Sequence, residues 1–597
     1  MNQEFTVEQK NYLQGFAAGS SLSASLGGMP TFAGTLGLAP AAKPKVEQEL
    51  SSPDSLQRAA QDRFLADGKA LSAEEKAKRV LHGLDVWDKM LEHAQSARFP
   101  KGTDVFLFKF LGMFFVAPAQ NSFMCRLRIP GGFMSAHQLA GVAELAEKFG
   151  GGYADVTTRA NLQIRQITAE HTADVLMGLS EIGIVNKGAG ADNIRNITAS
   201  PTAGIDPREL IDTRPLAKQM HHYILNHREM YGLPRKFNIA FDGGGSVSAL
   251  EDTNDIGFFA VEVGTGQQMP AGVYFRMALG GITGHEDFAR DTGVLLKPED
   301  CVAVAAAAVR VFIEHGDRTD RKKARLKYLL DRWGLEKFLE ETVRHLPAKL
   351  TRFPIENCLP RPLVEKHGHI GVHTQKQTGK SYIGVVLPVG RMNVAQMRRV
   401  AELATQFGSA ALRLTVWQNL LISDIADSDI PLVQAELEKI GLHWSASSVR
   451  GGLVACTGSA GCKFAAADTK RHAMQVADYL DTRVKLNHPI NIHLTGCAHS
   501  CAQHYIGDIG MIATKVAVGE EMVEGYHVYI GGGYGAERGI GRCIWRDVIA
   551  SDLPVRLELL LNGYVENRND EEESFRDFVL RHPTDELKKM FEERLSK

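Results

Sequence analysis

The sequence predicts an α+β chain made of two pseudo-symmetric halves, each built on a strand, helix, strand unit. Three observations carry this prediction. A stretch of more than fifty residues recurs in constant register, the strand and helix periodicities of the two copies coincide, and 597 residues with 44% hydrophobic and 23% charged content make a chain long enough for several packed units.

In the first copy Phe123-Met-Cys-Arg-Leu-Arg-Ile-Pro-Gly-Gly reads as a strand and turn. Leu139-Ala-Gly-Val-Ala-Glu-Leu-Ala-Glu-Lys-Phe-Gly follows as a helix and Val156-Thr-Thr-Arg-Ala-Asn-Leu-Gln-Ile as a strand. The second copy repeats the order with Tyr382-Ile-Gly-Val-Val-Leu-Pro-Val-Gly, Arg398-Arg-Val-Ala-Glu-Leu-Ala-Thr-Gln-Phe-Gly and Leu414-Thr-Val-Trp-Gln-Asn-Leu-Leu-Ile. Pro130 and Pro388, Asn161 and Asn419, and Gly183 and Gly441 are each 258 positions apart. Two copies suit a scaffold holding one shared site between halves; a solenoid needs three or more.

Ahead of the repeat, Gly15 to Ala42 is rich in Gly, Ala, Ser and Pro without period and reads as a flexible arm. A capping box at Ser72 and Glu75 is expected to open an amphipathic helix carrying Val80, Leu81, Leu84, Trp87, Met90 and Leu91, with ordered structure beginning near there. A net charge of -2 and a pI near 6.9 offer no basic stripe for nucleic acid or an anionic membrane. Met1-Asn-Gln-Glu-Phe lacks a secretory start and no stretch is apolar enough to span a bilayer, so a cytoplasmic location is expected.

Eight cysteines are too few for a disulfide framework. Four fall in two groups, Cys456-Thr-Gly-Ser-Ala-Gly-Cys462 and Cys497-Ala-His-Ser-Cys501. On a helical turn Cys497 and Cys501 would point the same way, and the glycines allow backbone to approach a bulky inorganic centre. Four thiolates hold either a [4Fe–4S] cluster or a structural zinc; this spacing is looser than paired zinc knuckles and favours the cluster. Cys125, Cys301, Cys358 and Cys543 stand singly among apolar neighbours and read as core. Gly243 to Gly245 and Gly531-Gly-Gly-Tyr-Gly read as turns, and no dinucleotide fingerprint follows a strand.

Taken together, the cysteine pattern, Leu127-Arg-Ile-Pro-Gly-Gly, Thr157-Thr-Arg-Ala-Asn, Arg195-Asn-Ile-Thr-Ala-Ser-Pro, Leu233-Pro-Arg-Lys-Phe-Asn and the doubled architecture resemble the ferredoxin-type nitrite and sulfite reductase family, from about Trp87 onward. The resemblance implies an arm over 1–85, ferredoxin-like half-domains over 86–170 and 346–430, a first siroheme-binding domain over 171–345 and a [4Fe–4S] and siroheme-binding domain over 431–597. It also implies siroheme between the halves, a [4Fe–4S] cluster on Cys456, Cys462, Cys497 and Cys501, and Cys501 as the bridge between them. A carboxylate-rich cofactor and an anionic substrate in a partly desolvated cleft require charge-assisted hydrogen bonds.

By the family pattern Arg159 is expected at the siroheme carboxylates, with Gln163 and Arg165 facing the same side of the strand and Gln418 and Asn419 standing in the second copy. Within the basic run Arg318-Thr-Asp-Arg-Lys-Lys-Ala-Arg-Leu-Lys, Arg321 and Lys323 are the expected cofactor neighbours. Arg126, Arg195 and Lys236, with Asn238 two residues on, are expected at the substrate, Lys236 also supplying protons.

Sulfite-reducing members usually carry lysine at the position of Asn238. An uncharged amide donor suits the smaller, singly charged nitrite. The expected reaction is six-electron reduction of nitrite to ammonium, with sulfite to sulfide as the second reading and electrons from ferredoxin or a flavodoxin-like carrier. A precorrin-modifying tetrapyrrole enzyme, a non-enzymatic redox protein and a zinc-stabilised binding module are the further alternatives.

Overall fold

The computed structural model describes residues 52–592, so the arm expected over 15–42 lies outside them. The repeat builds two five-stranded sheets. The first orders Met113–Val116, Ser122–Arg126, Asn161–Ile167, Tyr153–Thr157 and Arg391–Asn393; the second orders Gly371–Thr374, Lys380–Val385, Leu420–Ala426, Ala411–Leu414 and Phe133–Ser135. Each copy therefore lends one short strand to the other's sheet, with Arg391 opposite Asp155 and Phe133 opposite Arg413.

The repeat helices Ala136–Phe149 and Val394–Phe407 pack against each other in one core. Leu139, Val142, Ala143 and Ala146 on one, and Met397, Val400, Ala401 and Ala404 on the other, form the buried faces at helical spacing. Each helix opens on a complete capping box, Ser135 with Gln138 and Asn393 with Gln396. The correspondence reaches the backbone, since Gly131 and Val389, Gly152 and Ala410, Ala160 and Gln418, and Gln166 and Asp424 all adopt positive φ. Turn geometry has thus been kept where side chains diverged, even at residues that take this conformation at a cost.

Two further sheets, one of six strands and one of five, accompany this pair. In one, Thr198–Ala199, Ile239–Asp242 and Ile256–Val263 run parallel before Gly272–Leu279, Arg290–Leu296 and Thr351–Arg352 continue antiparallel. In the other, Leu453–Ala455, Ile492–Thr495 and Ile509–Val518 run parallel before Glu521–Ile530 and Arg542–Ile549. Alanine-rich Cys301–His315 is buried along Ala305 to Ala308 and lets its neighbours approach closely. Among the described residues no helix is long and apolar enough to cross a membrane.

The N-terminal stretch departs from expectation. Order begins earlier than residue 72, with a helix Ser55–Ala66 that packs on Cys301–His315. Ser72 does cap Ala73–Val80, accepting the Glu75 N–H at 3.3 Å, but the Glu75 side chain turns into the protein to meet Lys78, Gln61 and Arg318 and does not close the box. The expected long helix is broken: Leu81 is extended, a 3-10 turn follows at Gly83–Asp85, and a second helix runs Trp87–Gln95. The break brings the chain against Phe110, whose ring leaves no room for a Cβ at Gly83. Val80 is consequently 89% exposed while Val86 and Met90 are buried.

Candidate active site

Four stretches of chain meet around one cleft. Arg126 ends Ser122–Arg126 opposite Gln163, and its guanidinium lies 4.3 Å over the Phe114 ring with no carboxylate partner among the described residues. Arg195 is held by the carbonyls of Ala189 at 3.0 Å and Ala191 at 2.8 Å, and its own N–H pairs with Phe237 O. That bridge sets Arg195 beside Lys236, which makes no hydrogen bond or ion pair among the described residues.

Arg159 occupies the turn between Tyr153–Thr157 and Asn161–Ile167, made possible by Ala160 at φ +45. Its guanidinium reaches Asn196 O at 2.8 Å and Asn254 Oδ1 at 2.9 Å. Burial lowers Arg126 and Arg159 to about 10, and Arg195 lies well below its usual value. Burial, then Arg325, lowers Lys236 as well, with Cys501 opposing. All four cations are half-buried.

Asn238 completes the wall. Its backbone N–H donates to Asp255 at 2.8 Å, and its side-chain oxygen is buried without a partner. The unanswered cations call for an anionic ligand, since an unpaired buried charge is otherwise strongly unfavourable, while the orphaned Asn238 oxygen, an acceptor, calls for a donor. A carboxylate-rich tetrapyrrole and a small oxyanion fit this set.

Several expected cofactor residues have their bonds already made. Arg165 joins Asp155 at 2.8 Å, Gln163 at 2.6 Å and Thr457 at 2.5 Å, bracing the loop that carries Cys456 and leaving only Nη1 without a partner. Gln418 is stitched to Val156 O and to both backbone groups of Ala455, and Asn419 serves Leu387 N and His369. Both amides are buried beside the Trp417 indole, and both amide hydrogens of Gln418 are engaged. Arg321 is committed to Asp192 and Glu74, and Lys323 stands on the surface.

The inward cation of that basic run is Arg325, bound to Asp255 at 2.7 Å and among the charges that act on Lys236 and Arg159. The run is irregular and not helical, so periodicity could not select it. Sequence reasoning also missed Lys109, Phe114 and Arg235; a single lysine inside Phe106-Leu-Phe-Lys-Phe-Leu was the available signal.

The cysteine loops leave the carboxyl ends of neighbouring parallel strands, Leu453–Ala455 and Ile492–Thr495, which is why groups distant in sequence meet. Cys456 N bonds Leu494 O at 3.1 Å, and its sulfur accepts the Gly496 N–H at 3.1 Å. The other thiols lie near enough to act on Cys501, which burial and Cys456 raise while Lys236 opposes. Cys456, Cys497 and Cys462 all act on Cys501, so the four thiols of the two loops face one locality. Cys501 opens toward the cleft, and its carbonyl accepts the Thr158 hydroxyl beside Arg159 at 2.8 Å.

The family model of the nitrite and sulphite reductase 4Fe-4S domain matches residues 190–350 and 446–597, and that of the nitrite/sulfite reductase ferredoxin-like half domain matches 117–182 and 373–440. The chain belongs to the nitrite and sulphite reductase family. Each of its domain types occurs twice, as the duplication requires. Ferredoxin–nitrite reductase of Synechococcus elongatus is 34% identical, over 83% of this chain and 97% of its own length. The chloroplastic ferredoxin–nitrite reductase of Zea mays is 33% identical over 81% of this chain and 86% of its own.

Sulfite reductase (ferredoxin) 1 of Mycolicibacterium paratuberculosis is 32% identical over 78% and 83%. The solved structure of Mycobacterium tuberculosis NirA protein aligns with a TM-score of 0.81 and 28% identity, covering 88% of this chain and 98% of that one. The family is one of oxidoreductases, and its cofactors, siroheme and a [4Fe–4S] cluster, are those the cleft and the cysteine loops suit.

Proposed function

We propose that this chain reduces nitrite to ammonium, taking six electrons from ferredoxin in the cytoplasm. The observation that carries the reading is the set of unpaired cations, Arg126, Arg195 and Lys236, gathered beside Cys501 with the unpartnered amide of Asn238 among them. When bound, siroheme and the cluster would supply the electrons, and Cys501 would be the thiolate shared by the two. Cys456, Cys462 and Cys497 would complete the cluster ligands, and Arg159 would meet a siroheme carboxylate.

Arg126 and Arg195 would hold the oxyanion and stabilise negative charge as N–O bonds break, because their guanidinium groups are fixed in advance by Phe114 and by the Ala189 and Ala191 carbonyls. Lys236 donates protons from Nζ to departing oxygens, its burial making release easier than from an ordinary lysine. Asn238 donates a hydrogen bond without adding charge, which matches a monoanion.

Sulfite is the second reading, favoured by the additional cations Lys109, Arg235 and Arg325 near the cleft. Anaerobic turnover of the cofactor-loaded protein with each anion, assayed for ammonia and sulfide with a chemical one-electron donor, separates the two. Nitrite preference is expected, and Asn238→Lys should shift the ratio toward sulfite; an unchanged ratio removes Asn238 from the argument. No turnover of either anion would favour a tetrapyrrole-modifying enzyme.

A further inference from the structure

Beyond the residues that would hold the anion, two more cations lead toward the pocket. We propose that Lys109, with Lys463 ahead of it, forms the path along which the anionic substrate approaches Arg126, Arg195 and Lys236. This inference rests on the reading of that pocket as an oxyanion site.

Lys109 lies in the short turn Phe108–Leu111, within an otherwise apolar run. Its Nζ stands 5.8 Å from the centre of the Phe114 ring, the ring that also carries the Arg126 guanidinium at 4.3 Å. Phe114 is fixed from behind by Gly190, where an added Cβ would come within 2.6 Å of the ring and 2.4 Å of the Lys109 carbonyl oxygen. Gly190 belongs to the loop whose Ala189 and Ala191 carbonyls hold Arg195. One aromatic ring and one loop thus set Lys109, Arg126 and Arg195 in a fixed relation.

Lys109 makes no hydrogen bond or ion pair among the described residues. Burial, then the surrounding cations Lys463, Arg195 and Arg126, draws it down to about 8. The carboxylate within range, Asp192, is already shared by Arg321 at 2.7 and 2.8 Å and by Lys78 at 3.4 Å. Lys463 follows Cys462, is exposed, and rests 5.2 Å from the Phe464 ring. Lys463 is exposed, Lys109 is half-buried like Arg126, Arg195 and Lys236, and Lys109 feels Lys463 on one hand and Arg195 and Arg126 on the other. Such a line focuses the field for an anion and leaves a neutral molecule indifferent.

The test follows ligand association by stopped-flow absorbance in cofactor-loaded holoenzyme, with nitrite as the anion and carbon monoxide, bound to the reduced protein, as the neutral control. Lys109→Gln should slow nitrite association about 3- to 10-fold and flatten its dependence on ionic strength. Lys463→Gln should do so to a smaller degree, Lys109→Arg should restore the rate, and carbon monoxide should bind all variants as it binds the parent.

Unchanged nitrite association in Lys109→Gln overturns the proposal. So does an equal slowing of nitrite and carbon monoxide, which would mark a steric or structural change. A Lys463→Gln defect seen only with a protein electron donor would remove Lys463 from the path and assign it to donor docking. If neither nitrite nor sulfite binds the parent protein, the oxyanion reading itself fails, and the path with it.

Discussion

At position 159 the first copy carries a guanidinium bonded to Asn196 O, whereas 258 residues on the second copy buries the Trp417 indole, stacked 5.6 Å from His369 and tilted against Tyr534 at 4.9 Å. The same divergence recurs along the paired strands. Arg126 corresponds to Gly384, where an added Cβ would stand 2.3 Å from the His369 carbonyl oxygen. Buried Asp155, surrounded by Arg165, Arg391 and Lys470, corresponds to buried Arg413, which is satisfied by the carbonyls of Pro201 and Ala203. One backbone therefore supports a wall of arginines in one copy and an aromatic plug in the other. A handful of side chains, and not the fold, decides which.

Giving the first copy the second copy's residue should break this difference most severely. Arg159→Trp is expected to leave the purified protein essentially without siroheme, as read from its visible absorption and iron content, while circular dichroism stays near that of the parent. Full siroheme content would show that the Arg159 turn does not govern the cofactor.

The charge exchanged between the copies comes next. Burial works against the Asp155 carboxylate, but Lys470, Arg391 and Arg165 overcome it and hold its pKa below the ordinary value. Because the folded-state pKa is depressed, this stabilisation is fully present above the unfolded value of about 4 and is lost as pH falls below it. Asp155→Asn should cost about 3–5 kcal/mol by denaturant unfolding at pH 7, since it leaves buried cations unpaired. The deficit should narrow on acidification; a constant deficit would refute the electrostatic account.

Smaller effects probe the plugged copy. Trp417→Phe should lower stability by about 1–3 kcal/mol with siroheme content unchanged, measured on the same preparation. Loss of cofactor there would mean that the second copy still takes part in holding it. Ala410 carries the positive φ that Gly152 carries in the first copy, so Ala410→Gly should raise stability by about 0.5–1 kcal/mol, seen as a small rise in Tm.

Much of this was legible because duplication writes itself twice. Pro130 and Pro388, Asn161 and Asn419, and the Phe-Gly helix ends announced the repeat, and strand and helix periodicity supplied its elements. The four cysteines were legible because metal ligands show in their spacing, although the parallel strands that unite them did not. The exchanged strands Phe133–Ser135 and Arg391–Asn393 were hidden, since three residues carry too little pattern to name a partner.

Gln418 and Asn419 were singled out as the second-copy counterparts of the first copy's turn; their bonds to Val156, Ala455, Leu387 and His369 were not legible, because those partners lie far away in sequence. Arg325 and Arg321 look alike in sequence. Only the placement of Asp255 and Asp192 separates the cation that lines the cleft from the one tied behind it.

The reciprocal loan of edge strands also speaks about descent. Neither copy finishes its own sheet, so neither is a self-sufficient folding unit. Before the gene doubled, the same loan would have run between two identical chains about a twofold axis, a strand-swapped homodimer with a self-complementary interface. Such a dimer cannot change one protomer without changing the other. Joining the protomers end to end would lift that constraint and let the two halves take different parts in one site.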